Sequence, residues 1–334
     1  MSPTLYTSAN LAYLPQALVL VESLRRSNPE LPLVLVLVDE LPDDDVTRRH
    51  LDSFDEVLVA RDLFGSGFAR WIFGHDVVEA CTAVKGRALQ VLLERGDVVY
   101  LDPDLAVLGS LTPFLTELTS CSVLLTPHVM KPAPTDSADL GDELTTLRHG
   151  LYNFGMYGVS ASPEGRAFAD WWSSRLDSFC IDDVPGGLFT DQRWGDLVPV
   201  FFPSARLCRD PGVNVASWNL HQRPFSMSDD GDYLVDGHPL VSYHFTKATG
   251  VGLRVSRLKM DANPLVADLW RWYLERLRIH SASVPPHRWA YAESADGVPI
   301  ERSRRRLFRS RWGTPDLPDP FGLRADDEWW STPL

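Results

Sequence analysis

The chain has 334 residues, enough for one large α/β domain with an appendage or for two small domains. Its 32 Lys and Arg against 45 Asp and Glu leave a net charge of −13, which excludes nucleic acid as the main partner. An anionic substrate stays open, since a local Lys and a metal could hold it, and no run reaches the ~20 apolar residues a membrane helix needs, so any membrane association is expected to be peripheral.

Met1-Ser2-Pro3-Thr4 lacks a basic segment followed by an apolar one, so no signal peptide and a cytoplasmic location are expected. Leu5 to Ser8 reads as a short strand ending in small polar residues. Pro15 starts a helix with Leu18, Val21 and Leu24 on one stripe and Arg25-Arg26 at its end. Pro32 to Asp39 and Phe54 to Val59 read as further strands, Glu79 to Arg95 as a helix closed by Gly96. Val98 to Leu101 is an apolar run without alternation, the pattern of a strand buried on both faces, and Cys121 to Thr126 is another strand. This order predicts an α/β fold with a doubly wound, mostly parallel sheet flanked by helices.

Lys131 to Asp142 is rich in Pro, Asp and Ala and reads as a loop, and Tyr152 to Ser160 as a strand. Ser162 and Pro163 fit the N-cap and first turn of a helix whose Phe168, Trp171, Trp172 and Leu176 are expected in the core. Val241 to Phe245 is a late strand carrying His244. From about Pro285 the pattern loses its periodicity, which predicts a short helix near Ile300 to Arg309 and an extended tail. Arg304-Arg305-Arg306 reads as a solvated helix face. Cys81, Cys121, Cys180 and Cys208 form no C-x-x-C pair, so reduced thiols are expected rather than a zinc or redox site.

Chemistry concentrates at Asp102-Pro103-Asp104, directly after the buried strand. Ligands of open α/β sheets bind at the carboxyl ends of strands. Residues i and i+2 of extended chain project to one side, and two acids there repel unless a cation separates them. A hard divalent ion holding a diphosphate is the simplest occupant, with Asp104 exposed at the strand tip. The competing reading is a turn that caps the strand with its own side chains. His244 could complete a metal site, Lys247 could neutralise a phosphate oxygen, and Lys85 stands on the helix before the acid-tipped strand.

Together these segments resemble nucleotide-sugar glycosyltransferases of the GT-A fold, of the glycogenin and lipopolysaccharide-galactosyltransferase type, in a bacterial branch. The resemblance rests on Cys81 to Lys85, Val98 to Asp104, Tyr152-Asn153-Phe154-Gly155, Asp191-Gln192 and His244 to Lys247, in that order. Thr7-Ser8, Ser162 to Trp172, Asp210 to Asn214, Trp218-Asn219-Leu220, Asp296 to Ile300 and Asp319-Pro320-Phe321 extend it over most of the chain. It implies a GT-A domain over 1–284, with a nucleotide-binding half 1–126 and a sugar and acceptor half 127–284, and an appendage over 285–334.

The resemblance also implies roles. Asp102, Asp104 and His244 would hold Mn²⁺ or Mg²⁺, and Lys85 and Lys247 would sit at the diphosphate. Thr7, Ser8 and Asp39 would meet base and ribose. Asn153, Asp191 and Gln192 would act at the sugar. The donor would be a nucleoside-diphosphate sugar, a UDP-sugar first, and the acceptor a hydroxyl of a glycan or other molecule, as in polysaccharide biosynthesis. A retaining outcome by front-face attack is expected, with Asp191 as the sole nameable nucleophile for a double displacement. Acceptor loops are expected at Lys131 to Gly150 and Asp183 to Phe189. The chain departs from the pattern where His244-Phe245-Thr246-Lys247-Ala248-Thr249-Gly250 replaces a His-x-x-Gly-x-x-Lys run. A non-catalytic nucleotide-sugar scaffold and a sugar nucleotidyltransferase are the alternatives.

Overall fold

The computed structural model describes residues 3–248, 253, 263–314, 317–324 and 326–331. Met1, Ser2, Thr249 and Gly250, named above, lie outside them. The first half runs β1 (Thr4–Ala9), α1 (Leu14–Ser27), β2 (Leu33–Leu37), α2 (Asp45–Leu51), β3 (Glu56–Val59), α3 (Ala60–Phe64), α4 (Phe68–Phe73) and α5 (Val77–Leu93). It continues with β4 (Val98–Leu101), β5 (Leu105–Val107), α6 (Thr112–Leu118), β6 (Val123–Pro127), α7 (Leu140–His149), β7 (Tyr152–Val159) and α8 (Pro163–Phe179).

Local chemistry explains the boundaries. α1 carries Pro15 in its first turn, buries Leu18, Val21 and Leu24, and ends on Arg25 and Arg26 beside its negative pole. Asp76 and Glu79 form a reciprocal capping box at the start of α5. Gly96 turns the chain from α5 into β4 with φ 142°. The Ser162 side chain accepts from the Gly165 N–H, and Pro163 fills the first turn of α8.

The main sheet has seven strands in the order Arg206–Leu207, β6, β7, β4, β1, β2, β3. All neighbours are parallel except β7, which runs antiparallel to both β4 and β6. Both faces are covered, which is why the strands do not alternate. Tyr6, Val34, Val36 and Tyr100 join one core with α5 and α8, while Leu5, Leu33, Leu35, Val99 and Leu101 join another with α1. Phe168 and Trp172 are fully buried in the first core, as the helical spacing predicts.

A second, three-stranded sheet sets Ser242–His244 between Val215–Ala216 and β5. Its register pairs His244 with Leu105, and the Phe245 N–H donates to the Asp104 carbonyl over 2.9 Å. Two distant chain segments are thereby locked side by side at the tip of β4.

Several elements were not anticipated. α3, α4 and the helix Pro264–Ser283 lie where no helix is expected, and α7 begins inside the expected loop at Leu140. The helix Arg302–Ser310 forms close to where it is expected, but its arginines do not make a solvated face. Arg305 is 3% exposed and donates to the carbonyls of Phe73, His75 and Tyr291. Its helix closes a small core of Phe73, Ile300, Phe308 and Leu317. A guanidinium forks to several carbonyls left over at helix ends, so a run of charge marks a docked face here.

Candidate active site

β4 ends at Leu101, and the Asp102 N–H donates to the Gly155 carbonyl of β7 over 2.7 Å. The Leu105 N–H closes the turn on the Asp102 carbonyl at 3.0 Å, so backbone rather than a carboxylate makes the turn. Both acid side chains stay available. Asp104 is 8% exposed, not the exposed tip residue expected, because the second sheet covers it. His244 Nε2 lies 3.0 Å from Asp104 Oδ1 and 3.6 Å from Asp102 Oδ2, and the Tyr13 hydroxyl donates to Asp104 Oδ2 at 3.4 Å.

The ligand atoms of Asp102, Asp104 and His244 lie within 4.8 Å of one another. Two carboxylate oxygens and one imidazole nitrogen suit a hard or borderline divalent ion such as Mg²⁺ or Mn²⁺. His244 Nδ1 is buried and has no hydrogen-bond partner. Burial works against ionisation of Asp104, but the adjacent His244 outweighs it and holds the carboxyl below the usual range. Burial likewise opposes the His244 charge, and Asp104 overrides it, raising the imidazole pKa. The pair is thus charge-matched in a way that a divalent cation could take over.

Lys85 projects from α5 beneath this cluster and is 4% exposed. Its Nζ donates to Asp191 Oδ2 at 2.9 Å, to the Phe154 carbonyl at 3.1 Å and to Asp102 Oδ1 at 3.3 Å, and it stands 4.1 Å from the Tyr100 ring centroid. Burial would neutralise this ammonium, but Asp102 and Asp191 keep it charged and raise its pKa. Burial raises the pKa of Asp191, with Lys85 pulling it part of the way back.

The sugar-side residues form one network. Asn153 Nδ2 donates to Gln192 Oε1 at 3.0 Å, and Asn153 Oδ1 accepts from the Gly155 N–H at 3.1 Å and from Asn214 Nδ2 at 3.0 Å. Asn214 holds its own position with φ 52°, a left-handed conformation Asn tolerates. Gly155 is required: a Cβ there would meet His244 Cε1 at 2.5 Å and Asp102 Oδ2 and Asn153 Oδ1 at 2.7 Å.

A cleft opens over these groups in two lobes. One, of about 560 Å³, is lined by Asn153, Asp191, Gln192 and His244. The other, of about 460 Å³, is lined by Ser8, Asn10, Tyr13 and Tyr100. Lys85, Asp102, Asp104 and Lys247 line both, so the acid pair sits at their junction. Lys247 is exposed at φ 50°. Asp142, Thr145, Asp182 and Phe189, within or beside the expected acceptor loops, line the larger lobe.

Two residues assigned to the nucleotide stand elsewhere. Thr7 and Ser8 alternate across β1; Ser8 faces the cleft side and bonds Tyr100, whereas Thr7 is fully buried on the opposite face and lines neither lobe. Asp39 also lines neither lobe. Its carboxylate accepts the N–H groups of Leu11, Glu40 and Ala290, tying the tip of β2 to the C-terminal segment. Burial raises its pKa.

Sequence alone assigns no role to Tyr13 or His128, and it offers Trp218 only as part of the resemblance and not as a site residue. His128 follows the end of β6, so the strand-tip rule that singled out Asp102 also points to it. It lines the larger lobe, and its Nε2 lies 3.3 Å from Asn153 Nδ2. Trp218 packs edge-on to both His128 and His244, with centroids 5.4 Å apart in each case.

No family model matches the chain. It is 27% identical over 289 residues to the uncharacterised protein YfnF of Bacillus subtilis (strain 168), covering 84% of this chain and 94% of that protein. A second uncharacterised protein of the same organism, YfnD, is 24% identical over 212 residues, 58% of this chain and 65% of that one. Among solved structures, the galactosyltransferase LgtC, crystallised with donor and acceptor sugar analogues, superposes with a TM-score of 0.50. That match has 13% identity and covers 85% of this chain and 97% of LgtC. The chain therefore has the GT-A fold, with a seven-stranded, mostly parallel sheet between helices.

Proposed function

We propose that this chain is a metal-dependent glycosyltransferase that moves a sugar from a nucleoside-diphosphate sugar to a hydroxyl acceptor. The observation that carries the reading is the meeting of Asp102, Asp104 and His244 at the junction of two lobes, on a GT-A sheet. A lobe on each side of an anion-neutralising centre suits a donor whose nucleoside and sugar flank a diphosphate.

The chain's residues then divide the work. Asp102, Asp104 and His244 would hold the ion, which when bound neutralises the diphosphate and the charge that grows on it as it leaves. Ser8 and Tyr13, in the smaller lobe, would line the nucleoside side. Lys247, on the rim of both lobes, is free to reach a phosphate oxygen. Lys85 is committed to Asp102 and Asp191, so it would act by orienting them. The Asn153, Gln192 and Asn214 network would fix the sugar hydroxyls.

Asp191 favours attack from the donor's own face, and hence retention. One of its oxygens is held by Lys85 and the other by the Thr190 hydroxyl at 3.2 Å. A carboxylate bound at both oxygens is a poor nucleophile but a good counter-charge for an oxocarbenium-like centre. The acceptor would approach through the larger lobe, past Asp142 and Thr145. A glycan is the acceptor class most consistent with a lobe in which Asp142, Thr145, Thr146 and His149 offer polar groups beside apolar wall.

Thermal shift with UDP, GDP, CDP and dTDP, each with and without Mn²⁺, tests the reading. One nucleotide is expected to stabilise the protein only with the metal, by about 3 kcal/mol near a hundredfold excess over Kd. The shift should vanish in Asp102→Asn/Asp104→Asn. No metal-linked shift with any nucleotide would leave the acid pair a structural feature and bring forward a non-catalytic scaffold.

A further inference from the structure

The basic helix Arg302–Ser310 meets the wall of the larger lobe, which Arg302 and Glu79 help to line, and Glu79 is a buried acid that the proposed chemistry does not use. Glu79, in the first turn of α5, is 1% exposed. Its Oε1 lies 2.5 Å from Arg306 Nη2 and accepts the Asp182 N–H at 3.1 Å, while its Oε2 accepts the Asp76 N–H at 3.2 Å. Arg306 Nη2 also points to the Asp182 carbonyl at 3.4 Å. One turn earlier, Arg302 bonds the Asp76 carboxylate and lies 3.7 Å from that of Asp182. Both polar groups of the Asp182 peptide are thus held by Glu79 and Arg306.

Asp182 opens a two-stranded hairpin, Asp182–Asp183 with Leu188–Phe189, that runs straight into Thr190 and Asp191. The Thr190 N–H returns to the Ile181 carbonyl at 2.9 Å, and Thr190 sits at φ 44°, a left-handed conformation costly for a β-branched residue. Such backbone persists only where its surroundings over-determine it. The far side of Asp191 is held by Lys85; the near side is held by the base of the hairpin.

We infer that Arg306 and Glu79 are positioning residues: the C-terminal helix clamps the hairpin base through Glu79 and so sets Asp191 and the acceptor side of the cleft. This rests on the glycosyltransferase reading for its kinetic consequence, though not for its structural one. The clamp acts on the sugar side alone, because neither Glu79 nor Arg306 lines the nucleotide lobe.

The double variant Glu79→Gln/Arg306→Met removes the ion pair without stranding a buried charge, and Gln keeps an acceptor for the Asp182 N–H. Arg306→Lys retains the charge. Hydrogen exchange over residues 181–191 is expected to quicken in the double variant while α5 beyond its first turns and β4 stay protected. The Mn²⁺-linked affinity for the nucleoside diphosphate should stay within about twofold, and kcat for transfer should fall by roughly ten- to a hundredfold, the scale of a small misplacement at the reacting centre. Arg306→Lys should recover most of the loss. Unchanged exchange at 181–191 overturns the clamp, whether or not the protein transfers sugar. Quickened exchange with unchanged kcat overturns the positioning role. If the wild type binds no nucleotide with metal, the glycosyltransferase reading falls while the exchange result still decides the clamp.

Discussion

Lys85 Nζ stands 2.9 Å from Asp191 Oδ2 and 3.3 Å from Asp102 Oδ1, so one buried ammonium joins the metal cluster to the sugar side of the cleft. Such a bridge makes the two halves of the site interdependent. Removing its centre leaves Asp102 facing Asp104, and Asp191 with an unpaired charge in low dielectric.

Lys85→Met is therefore expected to destabilise the fold by about 3–5 kcal/mol as well as abolish activity. Chemical denaturation measures this directly. Arg cannot substitute, since its larger planar fork would not fit among two carboxylates, a carbonyl and the Tyr100 ring. A loss of under about 1 kcal/mol would mean that the ammonium is less committed than its distances indicate.

Asp104→Asn separates ion binding from folding. Asn keeps an oxygen for the His244 N–H, 3.0 Å from the native Oδ1, and turns its amide N–H toward the Tyr13 hydroxyl oxygen, 3.4 Å from the native Oδ2. Without metal its stability should change by no more than about 1 kcal/mol, the worth of one exchanged hydrogen bond. With Mn²⁺ and nucleotide, the stabilisation seen in the wild type should be absent. A retained metal-linked shift would remove Asp104 from the ligand set.

Gly155→Ala tests how closely β7 approaches the cluster. A methyl at that position would meet His244, Asp102 and Asn153 at 2.5–2.7 Å, so those side chains must move together. Overpacking of this kind costs about 1–3 kcal/mol, and the ligand triangle should open with it. Equilibrium binding of Mn²⁺ is expected to weaken at least about tenfold, a 1.4 kcal/mol effect. Wild-type affinity would show that the strand yields rather than the ligands.

How much of this was legible in the sequence follows the distance between partners. Asp102, Asp104 and His244 each end a local apolar run, and a strand tip is a local signal. Asn153 and Gln192 entered through a resemblance of short motifs. The bond between Asn214 and Asn153 depends on a left-handed φ and on two sheets meeting, neither of which leaves a mark in composition. Thr7 is expected at the nucleotide beside Ser8, although period two sets the two on opposite faces, and in the structure it lines neither lobe. Asp39 has the residue type for a ribose contact, yet its carboxylate is taken up by three backbone N–H groups, one of them from residue 290. Exposure was misjudged at Asp104 and Arg305 for one reason: a chain segment far away in sequence covers each of them.

Acid should destabilise the protein through histidines buried in the neutral form. His75 is fully buried, with Nδ1 on the Trp71 carbonyl at 2.7 Å and Nε2 facing Arg309. Burial and then the Arg309 charge push its pKa well below the ordinary 6.5. Burial lowers His128 to about 4. The folded state then binds fewer protons than the unfolded one below pH 6.5, so stability rises with pH there and is lost on acidification. Each histidine contributes up to about 1.4 kcal/mol per pH unit between its unfolded and folded pKa values. The melting temperature should fall from about pH 6.5 toward pH 4.5, and His75→Gln should flatten the slope. An identical slope in that variant would assign the acid sensitivity elsewhere.

The arginine run gives the sharpest contrast between neighbours. Arg305 is 3% exposed, donates to three carbonyls at 2.7–3.1 Å, and stacks 5.0 Å from the Trp289 ring centroid. Truncation would leave the Phe73, His75 and Tyr291 carbonyls without a donor inside a closed core. Arg304 is only half-buried, its guanidinium 5.6 Å from the Trp330 ring centroid, so solvent screens what it holds. Arg305→Ala is expected to cost about 3 kcal/mol or more, and Arg304→Ala under about 1 kcal/mol. Because the helix closes a core around Phe73 and Phe308, the Arg305→Ala loss should appear first as protease sensitivity between residues 285 and 301. Equal small losses in both variants would return the run to the solvated face that its composition suggests.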